Sequence, residues 1–208
     1  MKFGIFDHVD IGRESVEDLF RMRLDLVEAY ERAGFYAYHV AEHHSTPLGV
    51  AASPSVLLAA VTQRTRTLRL GPLVYMLSLY HPLRALEEIC MLDQMSGGRL
   101  ELGVGRGINP FEIGYYGVDP KEAQDIYIEG LQVILKGMEV DKLTHEGKHF
   151  CYRDVPVILK PLQQPRPPIW YGVSRPEGTT FAAKSKWNMV CLGTAEAVKT
   201  IVAKYKRE

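Results

Sequence analysis

Four short polar stretches stand out for side chains that could do chemistry: DHVD (Asp7–Asp10), EHHS (Glu42–Ser45), GRGINP (Gly105–Pro110) and SRPEG (Ser174–Gly178). An imidazole ordinarily titrates at about 6.5 and moves protons near neutral pH, which makes His43 the candidate acid–base residue. An arginine between glycines presents a cationic fork where the backbone can come close to an anion. Arg106, with Gly107 and Asn109 beside it, is on that ground the candidate phosphate holder. Ser174 stands just ahead of a helix expected to open near Pro176, where unpaired N–H groups and the helix dipole favour a phosphate. GVGRG is not the GxGxxG fingerprint and no P-loop lysine follows it, so Rossmann-type dinucleotide binding is disfavoured. Glu42, His43 and His44 are all metal-ligand types, but adjacent residues on an extended segment point to opposite sides and do not converge on one ion. No metal site is expected, and Glu42 is read as structural, with orientation of His43 as the other reading.

These stretches follow strand-like runs, and in βα architectures the loops after the C-terminal strand ends form one ligand-binding face. Lys2–Phe6 reads as the first strand. Ser15 caps a helix whose apolar residues Leu19, Met22, Leu26, Ala29 and Ala33 recur at steps of three and four, with Gly34 closing it. Tyr36–Ala41 is the second strand, and Ser53-Pro54 opens the second helix. Leu68–Leu77 reads as one long third strand buried on both faces. His81-Pro82 opens a helix, SGGR turns the chain into Leu100–Gly105, and Asp119-Pro120 opens a helix bearing Tyr127, Leu131, Ile134 and Met138 on one face. Ile169–Val173 and Asn188–Leu192 are strands five and six, and Thr194 caps the last helix. Trp170 and Tyr171 are expected to pack in the core. Between about 140 and 168, a Glu146-Gly147-Lys148 turn and five prolines predict a hairpin and an extended connector outside the sheet. Residues 1–208 are thus expected to form one βα domain of six strand-and-helix units carrying that insertion. A closed eightfold barrel typically takes ~250 residues, so two units are expected to be missing, and the strand edges left open would need covering.

The chain has 208 residues, 25 basic and 25 acidic, so no overall field attracts nucleic acid or an anionic membrane. The three cysteines, Cys90, Cys151 and Cys191, are widely spaced and form no CxxC pair, which fits neither a disulfide framework nor a zinc site and points to a reducing cytoplasm. No leader and no membrane-spanning run is expected.

AEHHSTPLG (Ala41–Gly49), HPLRALEEICMLDQMSGGRLELGVGRG (His81–Gly107) and YYGVDP (Tyr115–Pro120) resemble the bacterial luciferase-like family of flavin-dependent monooxygenases, and the likeness runs from Met1 to about Leu192. The resemblance implies an α/β fold, the (β/α)8 barrel of that family cut to about six units, with reduced flavin mononucleotide (FMN) at its C-terminal mouth. It implies that Arg106 and Ser174 bind the phosphate, that His43 is the catalytic histidine, and that Leu73-Val74 is a non-proline cis peptide beside the flavin ring. It also implies a homodimer. Two departures stand out: a second phosphate arginine is replaced by Gln124, and the reactive cysteine of luciferase is replaced by Gly105. The expected activity is oxidation of a small organic substrate by O2 and reduced FMN from a separate flavin reductase. Hydride transfer with a deazaflavin, or flavin binding without catalysis, are the alternatives. Phe6, Tyr75 and Ile108 are expected to line an apolar or aromatic substrate pocket.

Overall fold

The computed structural model describes residues 2–173, 176–191 and 193–208. Its elements follow the order β1 (Gly4–Asp7), α1 (Val16–Arg32), β2 (Ala37–Val40), α2 (Pro54–Arg64), β3 (Arg69–Pro72), β4 (Tyr75–Met76), α3 (Pro82–Met95), β5 (Leu102–Gly105), α4 (Pro110–Tyr115), α5 (Ala123–Glu139), β6 (Lys142–Glu146), β7 (Cys151–Pro156), β8 (Ile169–Gly172), α6 (Pro176–Lys184), β9 (Asn188–Val190) and α7 (Ala195–Tyr205). β1, β2 and β3 pair in parallel, as do β4, β5, β8 and β9. The two runs are stitched where Leu70 bridges Leu100, with the Leu70 amide donating to the Arg99 carbonyl and the Glu101 amide to the Leu70 carbonyl. The result is a curved parallel sheet with helices on its outer side, the βα-barrel fold with six of its strand-and-helix units. Among the described residues β1 and β9 are its two edges.

Strand alternation sorts the side chains into two layers. Tyr38, Val40, Leu70, Leu102 and Val104 join Leu58, Val61, Ile89, Leu131 and Ile134 of the helices in one core. Gly71 and Gly103 lie where strands approach so closely that an added Cβ would run into the Glu101 and Pro72 carbonyls, respectively.

Four expectations change in detail. The third strand is not continuous: it breaks at a cis peptide between Leu73 and Val74, so that β3 pairs with β2 and β4 pairs with β5. The inner face of α1 is turned from the predicted stripe. Leu19 and Val27 are buried with Phe20, Leu24 and Tyr30 packed beside them, whereas Met22 and Leu26 are exposed. Asp119-Pro120 forms a turn ahead of α5, in which the Asp119 carboxylate accepts the Lys121 amide. A short helix, α4, stands where no element was predicted. The predicted hairpin is β6–β7, antiparallel and outside the sheet, and Glu129 of α5 accepts the amides of His149 and Phe150 at its tip.

Inside the curve, one carboxylate braces the lower half of the sheet. Glu101 is 1% exposed. Its Oε1 accepts Tyr36 Oη at 2.7 Å and Arg69 Nε at 2.6 Å, and its Oε2 accepts Trp170 Nε1 at 2.8 Å, with His39 Nε2 3.4 Å away. Trp170 therefore serves as a donor rather than as plain packing. Burial alone would raise the Glu101 carboxyl, but His39, Tyr36 and Arg69 outweigh it and hold it at about 2. An unfolded glutamate titrates near 4.5, so this stabilisation is complete above pH 4.5 and is lost as the pH falls towards 2. Glu101→Gln should lower unfolding free energy by about 3 kcal/mol at pH 7. Urea midpoints of variant and wild type should converge between pH 4.5 and 2; an undiminished gap at low pH would refute the assignment.

Candidate functional site

The loops after β1, β2 and β5 meet at the C-terminal end of the sheet. In the first, Asp7 Oδ1 accepts the Val9 amide at 2.9 Å, while Oδ2 accepts Tyr38 Oη at 2.9 Å and lies 3.0 Å from Arg23 Nε. Val9 is fully buried with φ 55°, a left-handed conformation that a β-branched residue rarely adopts. The turn it makes points His8 at the second loop, where the His8 ring lies parallel to His43, centroids 5.5 Å apart at 16°.

His43 and its neighbours follow the alternation of an extended chain. His43 Nδ1 lies 3.4 Å from Oε1 of Glu112, which also accepts Asn109 Nδ2 at 2.8 Å. Oε2 of Glu112 accepts the His44 amide at 3.1 Å. Glu42 and His44, two residues apart, turn the other way and pair with each other at 2.7 Å. The second oxygen of Glu42 accepts the Met76 amide and Tyr80 Oη, both at 3.1 Å. A carboxylate only accepts, so the hydrogen of His44 is on Nε2, and Nδ1 accepts the Tyr116 hydroxyl at 2.8 Å. By the same rule a neutral His43 carries its hydrogen on Nδ1, towards Glu112, and its Nε2 has no hydrogen-bond partner among the described residues. Glu42 thus serves His44 and strand β4, in line with its structural reading. Burial followed by the Glu42 carboxylate raises Tyr80 far above the ordinary phenol range, so Tyr80 stays a donor.

Arg106 begins the third loop. Its Nε donates to the Gly107 carbonyl at 3.0 Å, and its own carbonyl accepts Ser78 Oγ at 2.6 Å. Among the described residues no carboxylate pairs with it. Gly107 has φ 89°, which turns the chain beside the guanidinium at little steric cost. Asn109 caps α4, its Oδ1 accepting the Phe111 amide at 3.0 Å. The Leu73-Val74 peptide is cis, and Gly105 packs against Val74, where a Cβ would meet Cγ2. Ser174 lies outside the described residues. Phe6 and Ile108 are exposed, but Tyr75 is not a lining residue: it is buried, with its hydroxyl on Ser55 of α2.

Sequence reasoning missed Glu112 and His8. The first left a legible trace, because Asn109-Pro110-Phe111-Glu112 has the order of an N-cap, a first-turn proline and an N3 glutamate. His8 lies in the DHVD stretch already singled out, but no role could be read for it there, since it is the left-handed Val9 turn that brings it to His43.

The fold and this rim define a βα-barrel chain with an imidazole on one loop of the mouth and, on another, an arginine that has no carboxylate partner among the described residues. A sequence profile described as "Luciferase-like monooxygenase" matches residues 1–208. The chain belongs to that family. It is 49% identical over its whole length to the uncharacterized protein y4wF of Sinorhizobium fredii, and spans 61% of that relative. It is 28% identical, over 91% of this chain and 53% of the relative, to the oxygenase component of the flavin-dependent trigonelline monooxygenase of Acinetobacter baylyi. Among solved structures, monooxygenase RslO1 of Streptomyces bottropensis superposes with a TM-score of 0.94 at 26% identity, covering all of this chain and 65% of that one.

Replacing Glu112 by alanine removes the acceptor of the buried His44 amide and of Asn109. It should lower unfolding free energy by about 1–3 kcal/mol and unpin His43. Urea unfolding checks the first part, and a variant as stable as wild type would show that Glu112 does not hold the two loops together.

Proposed function

We propose that the chain acts as the oxygenase component of a two-component flavin-dependent monooxygenase. In this reading residues 1–208 form a single luciferase-like domain with the β6–β7 hairpin and its connector as an insertion. What supports the reading is that Glu112 ties His43 to the loop that begins with Arg106, and that Arg106 has no acidic partner among the described residues. Membership of the family and the flavin-dependent relative support it.

The donor set suits FMN. Arg106 has guanidinium N–H groups left to bind a phosphate bidentately, and the adjacent Gly107 turns the chain where a Cβ would run into Met76. Ser174 and Asn109 are assigned to the same phosphate end. Leu73 and Val74, next to Gly105, are assigned to the ring. Reduced FMN supplies two electrons to O2, so that one oxygen atom enters the substrate and the other leaves as water. The residues of this chain position the reactants, exclude water and move a proton. His43 Nε2, which has no hydrogen-bond partner among the described residues, accepts a proton from the substrate as general base, while Glu112 steadies the imidazole through Nδ1.

The exposed apolar side chains Phe6, Ile108, Phe111 and Tyr115 fit an apolar or aromatic substrate. A separate flavin reductase supplies the reduced cofactor, in keeping with the "oxygenase component" of the relative. Exposed Met22 and Leu26 on α1 offer a face for a homodimer. No described helix is long and apolar enough to cross a membrane, and the unpaired cysteines agree with a cytoplasmic setting.

Titration with reduced FMN under anaerobic conditions, followed by oxygen uptake, tests this. Arg106→Ala should weaken FMN binding about tenfold or more, the scale of a lost charged hydrogen bond. His43→Ala should leave binding within about twofold and lower turnover at least a hundredfold, in the usual range for a general base. Undiminished turnover of His43→Ala would remove the catalytic assignment. Binding of a reduced deazaflavin in preference to FMN, without oxygen uptake, would replace oxygenation by hydride transfer.

A further inference from the structure

We propose that His8 is a positioning residue of this site, holding the His43 imidazole in the orientation that keeps Nδ1 on Glu112; the proposal rests on the reading of His43 given above. Three independent features of the fold build His8 into place. Its ring centroid lies 4.8 Å from that of Phe6, tilted at 60°, and 5.5 Å from that of His43, nearly parallel at 16°. The turn that presents it needs buried Val9 at φ 55°, a costly conformation for valine that persists only where the surroundings impose it. The surroundings here are the Asp7 carboxylate on the Val9 amide and the Val50 amide on the Val9 carbonyl.

The third feature is Gly49. A Cβ at this position would run into the His8 carbonyl and come within 3.8 Å of His43 Cδ2. The second loop therefore lies directly on the first, with no side chain between them. His43 is fixed from two directions, by Glu112 along one edge of the ring and by His8 against one face. An imidazole held at a single nitrogen can still swing about that contact. A second ring stacked on its face removes that freedom, and small losses of placement cost turnover far more than binding.

The test uses the full chain with His8→Ala, His8→Phe, His43→Ala and the double variant His8→Ala/His43→Ala. Long-range proton–nitrogen spectra of the His43 ring, recorded without flavin, read its tautomer and order directly. His8→Ala should broaden or split the His43 signals. It should also lower kcat about tenfold with FMN affinity within about twofold, the signature of lost placement rather than lost binding. His8→Phe, which keeps a flat ring on His43, should restore both the signals and kcat, and it secures the comparison if alanine disturbs the turn. In the His43→Ala background His8→Ala should have no further effect on turnover. Unchanged His43 signals in His8→Ala would overturn the proposal, as would a His8→Phe variant no better than alanine. Should His43 prove dispensable for turnover, the spectra would still decide whether His8 orders it.

Discussion

Glu112 sets the geometry of the mouth. Its side chain is buried, and a buried carboxylate is stable only when donors surround it. It draws them from two places that are not neighbours in the sheet: Asn109 belongs to the loop after β5, while the His43 side chain and the His44 amide belong to the loop after β2. One group thereby spans the rim and fixes a separation that hydrogen bonding between adjacent strands could not. Arg106 lies three residues before Asn109 on the same loop, so the same contact relates the imidazole to the guanidinium. A site on loops needs such a supporting contact to keep its groups near productive positions.

Alternation along Glu42-His43-His44 divides the labour. The odd residue faces Glu112 and His8; the even residues form a buried pair that reaches the Met76 amide on one side and Tyr116 on the other. The His44–Glu42 pair thus connects the β2 loop to β4, just beyond the cis peptide, and to the end of α4. The two neighbouring imidazole rings thus face different carboxylates, His44 Glu42 and His43 Glu112.

Much of the fold could be read from the chain, because six strand-and-helix units repeat with clear capping residues such as Ser15 and Thr194, both of which accept amides of the following turn. What escaped was decided by tertiary contacts. The apolar stripe on α1 runs through Met22 and Leu26 as plausibly as through Leu24 and Val27, and only the direction of the sheet selects the second. The break at Leu73-Val74 is invisible to periodicity, since an apolar run looks the same with or without an interruption. At the site, His43 and Arg106 stood out by residue type and by the glycines around Arg106. Glu112 and His8 did not, because their roles follow from partners some seventy and thirty-five residues away.

The two ends of the barrel use the same device with opposite emphasis. At the lower end Glu101 gathers Tyr36, Arg69 and Trp170, with His39 beside it, so that β2, β3, β5 and β8 are cross-braced through the hollow rather than only along the sheet. At the mouth Glu112 joins two loops, and Glu42 joins the β2 loop to strand β4. Among the described residues neither brace takes a donor from β1 or β9. β1 enters the site by another route, through the Asp7–Val9 turn and the stack of His8 on His43. The placement of the His43 imidazole therefore combines a hydrogen-bonded anchor on Glu112 with a packing contact from the loop after β1.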